Sequence, residues 1–129
     1  MGPAGTPASA SRPPRWIESL ARFGALTCLV ALPLLSLLPA DVVERTGAGK
    51  NLEHAVAYGG TAFLLALGVA TPRNRLIATL ALIGLAALLE TAQSFTATRS
   101  AEVAQFVAGT LGSLAGLVAG LMVRRLLAR

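Results

Sequence analysis

Five side chains in this 129-residue chain have the types and the spacing to do chemistry together: His54, Tyr58, Glu90, Gln93 and Arg99. His54 and Tyr58 are four residues apart and Glu90 and Gln93 three apart, so each pair shares one face of a helix. If both faces turn inward, an imidazole, a phenol, a carboxylate and an amide meet in one cavity. Arg99 is near enough in sequence to Glu90 to fold back as its partner. Such a set suits an anionic or hydroxyl-rich ligand, with the guanidinium as a planar fork and His54 and Tyr58 as hydrogen-bond donors. The same groups admit a small membrane enzyme acting on a lipid-linked phosphate or ester, with His54 as base or nucleophile, Glu90 its orienter and Arg99 a charge clamp. One histidine, no clear serine motif and a lone Cys28 inside an apolar run leave that reading thin machinery. The expectation is therefore a binding site without catalytic residues. Polar glue between helices, at about 1 kcal/mol per contact, is the structural alternative.

The surroundings give these residues their weight. Glu90 closes an apolar run over 76–89, and ionisable groups in membrane-length segments are expensive enough to mark functional sites by default. At about 1.5 Å per residue, Glu90 lies roughly 20 Å from Leu76, near the far end of a spanning helix. Composition agrees: 54% of the residues are hydrophobic and 13% charged, against about 25% charged in a soluble domain. The chain reads as an integral membrane protein with one folded domain. Its net charge of +5 does not point to nucleic acid, because the basic residues flank apolar segments instead of forming one stripe. A single cysteine and a single histidine exclude an internal disulfide and a Cys/His metal site, and no cofactor is expected.

Residues 1–19 open with a Pro-, Gly-, Ala- and Ser-rich stretch and are expected as a disordered tail, followed by a folded domain over 20–129. Four apolar segments follow, over about 23–38, 52–70 (or 54–70), 76–95 and 103–123, each read as a helix. The fold class expected is all-α, a four-helix transmembrane bundle. Pro33 should kink the first segment. No small-x-small cleavage site follows Leu38, so that segment is expected as a retained anchor, not a signal peptide. Residues 71–75 read as a tight basic turn. With the N-terminus cytoplasmic, Arg12, Arg15, Arg22, Arg73, Arg75, Arg124, Arg125 and Arg129 lie inside, and Arg45, Lys50 and Arg99 outside. That satisfies the positive-inside rule and puts both termini in the cytoplasm.

The polar set then gathers on the extracytoplasmic side. The inner half offers no comparable group, only Thr61 and Thr79. Glu102 and Gln105 open the fourth helix and read as ordinary capping. Ala104, Ala108, Gly112, Gly116 and Gly120 recur every four residues on that helix, a face that lets another backbone approach closely. Packing against the second or third helix is favoured, with homo-oligomerisation through the fourth helix as the alternative.

In order, the residues 50-KNLEHAVAY-58, 90-ETAQSF-95, Arg99-Ser100, and Gly112 with Gly116 resemble the VanZ-like family of small bacterial membrane proteins. The resemblance covers roughly residues 50–120. It departs where the family's Asp-Lys is Lys50-Asn51, where its fourth-helix Asp is Gln105, and where its Asn is Gly109. What it implies is a multi-pass protein of the bacterial inner (cytoplasmic) membrane. Its implied partners are membrane lipids and a lipid-linked envelope component, bound at an outward site through a headgroup or glycan. The founding member is associated with low-level resistance to the glycopeptide teicoplanin, which adds a glycopeptide antibiotic to the ligands implied.

Overall fold

The computed structural model describes residue 2 and residues 12–39, 41, 47–96 and 101–129. Arg99 lies outside the described residues. Four helices make up the fold: α1 (Arg15–Leu37), α2 (Lys50–Gly68), α3 (Pro72–Gln93) and α4 (Val103–Leu127). Their directions alternate. Glu18 near the start of α1 meets Arg124 near the end of α4, Arg124 reaches the carbonyl of Leu67 at the end of α2, and Arg75 at the start of α3 reaches that of Val69. Arg12 and Arg129 therefore share one end of the bundle, and the last turns of α1 and α3 share the other with the first turns of α2 and α4.

The boundaries follow from local chemistry. α1 begins at Arg15, eight residues ahead of the apolar run, so residues 15–19, assigned above to the tail, are helical. Apolar content alone misses this start because the first two turns are amphipathic. Glu18, Ala21, Ala25 and Leu32 form the buried stripe at helical spacing. Pro33 sits within α1, which continues to Leu37. Gly49 precedes α2 with φ of +93°, a left-handed conformation that only glycine adopts without strain. The stretch read as a basic turn is instead the cap and first turn of α3. The Thr71 hydroxyl accepts from the Asn74 N–H at 3.2 Å, and Pro72 occupies the first turn, where its missing N–H costs nothing.

α1, α3 and α4 are long and apolar enough to cross a membrane. α2 is not among these spans, which corrects the expectation of four equivalent ones. The reason is its place in the bundle: α2 packs against each of the other three helices, and none of residues 61–69 is exposed. A helix surrounded by protein needs fewer apolar side chains than one facing lipid.

Small side chains are unusually frequent in the interior. Ala21, Ala25, Ala62, Ala66 and Ala86 with Thr61, Thr79 and Ser113 are buried there beside Leu32, Tyr58, Leu67, Leu82 and Leu89. Large apolar residues face outward, among them Phe23 (72% exposed), Leu26, Val30, Leu80, Leu88, Val118 and Met122. An apolar exterior of this extent belongs against lipid, and small interior residues let helix backbones approach. The three buried hydroxyls donate back to their own helices, Thr61 to Ala57 O, Thr79 to Arg75 O and Ser113 to Gly109 O, at 2.8–2.9 Å.

Candidate functional site

The elements bring four of the five sequence-selected residues to one end of the bundle. His54 and Tyr58 lie in the first half of α2, and Glu90 and Gln93 in the last turn of α3. His54 Nε2 stands 3.4 Å from Glu90 Oε1, with the two side chains 19% and 11% exposed. The other ring nitrogen, Nδ1, faces the Lys50 carbonyl at 3.2 Å. Each imidazole nitrogen thus has an oxygen acceptor before it. The His54 and Tyr58 rings stack with centroids 6.0 Å apart and planes at 24°, as their four-residue spacing requires. Tyr58 is buried.

Glu90 works in two directions. While Oε1 faces His54, Oε2 accepts from the Glu102 N–H at 3.1 Å, immediately ahead of α4. A carboxylate at a helix N-terminus answers both the unpaired donors and the positive end of the macrodipole. Lys50 Nζ closes the ring by donating to Glu102 Oε1 at 3.3 Å. His54, Glu90, Glu102 and Lys50 therefore join α2, α3 and α4 in one polar circuit. Gln105, read as routine capping, is buried behind it. At Gly109 a Cβ would meet Tyr58 Cδ2 at 3.3 Å, so the absence of a side chain there seats the phenol ring against α4.

Gln93 does not join this circuit. Its buried amide donates from Nε2 to the Ser36 carbonyl at 2.9 Å, tying the end of α3 to the last turn of α1. Ser36 is one of the carbonyls a helix end leaves unpaired, so the bond meets a fixed need. Replacing Gln93 by leucine should lower stability by about 1 kcal/mol, measured as the thermal unfolding midpoint in detergent, with the His54–Glu90 pair unaffected. Gly112, Gly116 and Gly120 all face α2: a Cβ on them would run into the backbone of Ala55, Gly59 and Phe63 respectively.

The opposite end, the half expected to face inward, carries a second polar centre where the sequence reading expects no comparable set. Glu18 is 4% exposed and meets Arg124 Nη2 at 2.8 Å, Arg22 Nη2 at 3.4 Å and Arg12 Nη2 at 3.8 Å. Three of the arginines there also hold the C-terminus of α2. Arg124 donates to Leu67 O at 2.6 Å, Arg22 to Gly68 O at 2.8 Å, and Arg75 to Val69 O and Ala70 O at 2.8 and 2.6 Å. Carbonyls at a helix end must find donors, and more so where no water competes. The one sequence signal for this centre is the Glu18–Arg22 spacing of four. Glu18 falls in the stretch assigned to the tail and Arg22 just beyond it.

No family model, curated protein or solved structure matches the chain.

Proposed function

We propose that this chain is a non-enzymatic, multi-pass protein of the bacterial cytoplasmic membrane. The end carrying His54, Tyr58 and Glu90 faces out and binds a lipid headgroup, a glycan or a glycopeptide. The observation that carries the reading is the His54–Glu90 pair: two ionisable groups 3.4 Å apart at a bundle end, both still partly accessible. A purely structural pair in lipid would gain by full enclosure, whereas this one keeps an open side. Orientation is supported by charge. Among the described residues, Arg12, Arg15, Arg22, Arg73, Arg75, Arg124, Arg125 and Arg129 belong to the shared terminal end and Lys50 to the other, so the positive-inside rule turns His54 and Glu90 outward. The ordered elements around His54, Tyr58, Glu90 and Gln93 resemble the VanZ-like pattern, and that resemblance makes teicoplanin the first ligand to try.

The test compares teicoplanin and general envelope-stress susceptibility in cells making the wild type, Glu90→Gln or no protein, with membrane levels matched. Glutamine keeps an acceptor for the Glu102 N–H while removing the charge that faces His54. A shift in susceptibility with the wild type that is lost in Glu90→Gln is the expected result. An equal shift with both proteins would remove Glu90 from the site, and no shift with either would remove the glycopeptide reading.

A further inference from the structure

The N-terminal end of α1 carries charge that its own partners do not balance. Pro14 turns the chain at the helix start, and Arg12 comes back beside Glu18. The result is a cleft of about 340 Å³ lined by Arg12, Pro13, Arg15, Glu18, Ser19 and Arg22. Its size falls in the range of small-molecule sites, about 300–1,000 Å³. Three guanidiniums face one carboxylate. That carboxylate is already committed, with Oε1 on the buried Arg124 and Oε2 shared between Arg22 and Arg12. Arg12 is 64% exposed and Arg15 is exposed, so both can turn towards a ligand, while Arg22, fixed by its Nε on Gly68 O yet 56% exposed, adds positive charge from the cleft wall. The cleft calls for an anion, and guanidiniums match phosphate oxygens in fork geometry.

The same cleft shares one wall, Arg22, with an apolar track. Arg22 also lines a groove of about 220 Å³ between α1 and α2, walled by Ala25, Leu26, Leu29, Leu64 and Leu65. Leu26 continues into a further apolar stretch along α1 with Phe23, Val30 and Leu34. A cationic pocket followed by an apolar groove along a lipid-facing helix has the layout of a phospholipid. We propose that this end of the bundle is a binding site for an anionic phospholipid. The phosphate lies among Arg12, Arg15 and Arg22, and one acyl chain lies in the α1–α2 groove. This site is at the opposite end from His54 and Glu90 and does not depend on them.

Trp16 is the only tryptophan in the chain, is 65% exposed and adjoins Arg15, so it reports on lipids at this position. The experiment reconstitutes the full chain with phosphatidylglycerol or phosphatidylcholine carrying a quencher high on the acyl chain, and compares Trp16 quenching at equal mole fraction. Wild type should prefer phosphatidylglycerol by about fivefold or more, since each arginine near an anionic headgroup is worth about that factor. In Arg12→Gln/Arg15→Gln, which alters two exposed side chains, the preference should fall to about a fifth of the wild-type value or less. Arg73→Gln/Arg125→Gln removes the same charge from exposed positions at the same end and should keep it. Equal quenching by both lipids in the wild type overturns the site. So does an equal loss in both double variants, which would mean diffuse surface attraction. Abolition of the preference by an equal concentration of soluble glycerol phosphate would make the ligand a free phosphate ester and overturn the lipid assignment.

Discussion

Glu18→Ala should destabilise this protein by about 3–5 kcal/mol, the range for breaking a buried ion pair by removing one partner. Glu18 and Arg124 pair at 2.8 Å with side chains 5% and 10% exposed. Without the carboxylate, the Arg124 guanidinium keeps the Leu67 carbonyl at 2.6 Å but has no counter-charge in a place where water is scarce. The damage should extend to α2, because Arg124, Arg22 and Arg75 together hold its last carbonyls. Thermal unfolding in detergent, followed by helical circular dichroism, measures the loss. A double-mutant cycle then separates the pair from its parts. Glu18→Ala/Arg124→Ala should recover a share of the stability lost in Glu18→Ala, since the buried charge left unpaired has gone too. If the double variant is as unstable as the sum of the singles, the two residues act independently and the ion pair is not what holds this end together.

That centre also shows where sequence reasoning stopped and why. His54, Tyr58, Glu90 and Gln93 were legible because polar groups inside apolar runs are few, and helical spacing places each pair on one face. Their meeting at one end follows from alternating helix directions. Which of them touch does not follow. Gln93 turns to α1 instead of joining His54, a choice set by the unpaired Ser36 carbonyl, which has no signature in side-chain types. Glu18 was hidden for two reasons. It stands in a basic, proline-flanked stretch before the apolar run begins, and its main partner Arg124 is 106 residues away. The arginines were read as topology signals, and so they are counted by number and place. Their second task, donating to the end of α2, involves backbone carbonyls that look alike at every position. The length of α2 and its apolar C-terminal half read as a fourth span. That half is covered by the other helices, while Lys50, Asn51 and Leu52 in its polar opening turn are exposed at the bundle end. The small-residue face of α4 reads as a contact surface, and a ladder of glycines looks the same whether α2, α3 or a second copy lies on it.

The ladder yields the second large prediction. Gly116→Val should cost about 3 kcal/mol or more, at or beyond the upper end for overpacking a tight interior. A Cβ at Gly116 would overlap the Gly59 carbonyl, and one at Gly112 the Ala55 carbonyl. The relation is reciprocal, since a Cβ at Gly59 would meet the Gly112 oxygen at 2.9 Å. These obstacles are main-chain atoms, so no change of rotamer relieves them and the helices must move apart. In lipid, association rests on close packing without a hydrophobic drive between helices. Separation therefore forfeits most of what joins α2 to α4 and loosens the burial of Tyr58, Thr61, Ala62 and Ala66. Two other helical glycines supply the control: Gly60 and Gly84 have no packing neighbour within 4 Å of an added Cβ. Alanine at either should be neutral or slightly stabilising, by up to about 1 kcal/mol, because alanine is the better helix former. Unfolding midpoints of Gly116→Val, Gly60→Ala and Gly84→Ala, taken at two protein concentrations in detergent, decide the matter. A large loss confined to Gly116→Val and independent of concentration places the ladder inside one bundle. A loss that shrinks as concentration rises, with a change of oligomeric state, would assign the face to contact between two copies and sink the intramolecular account.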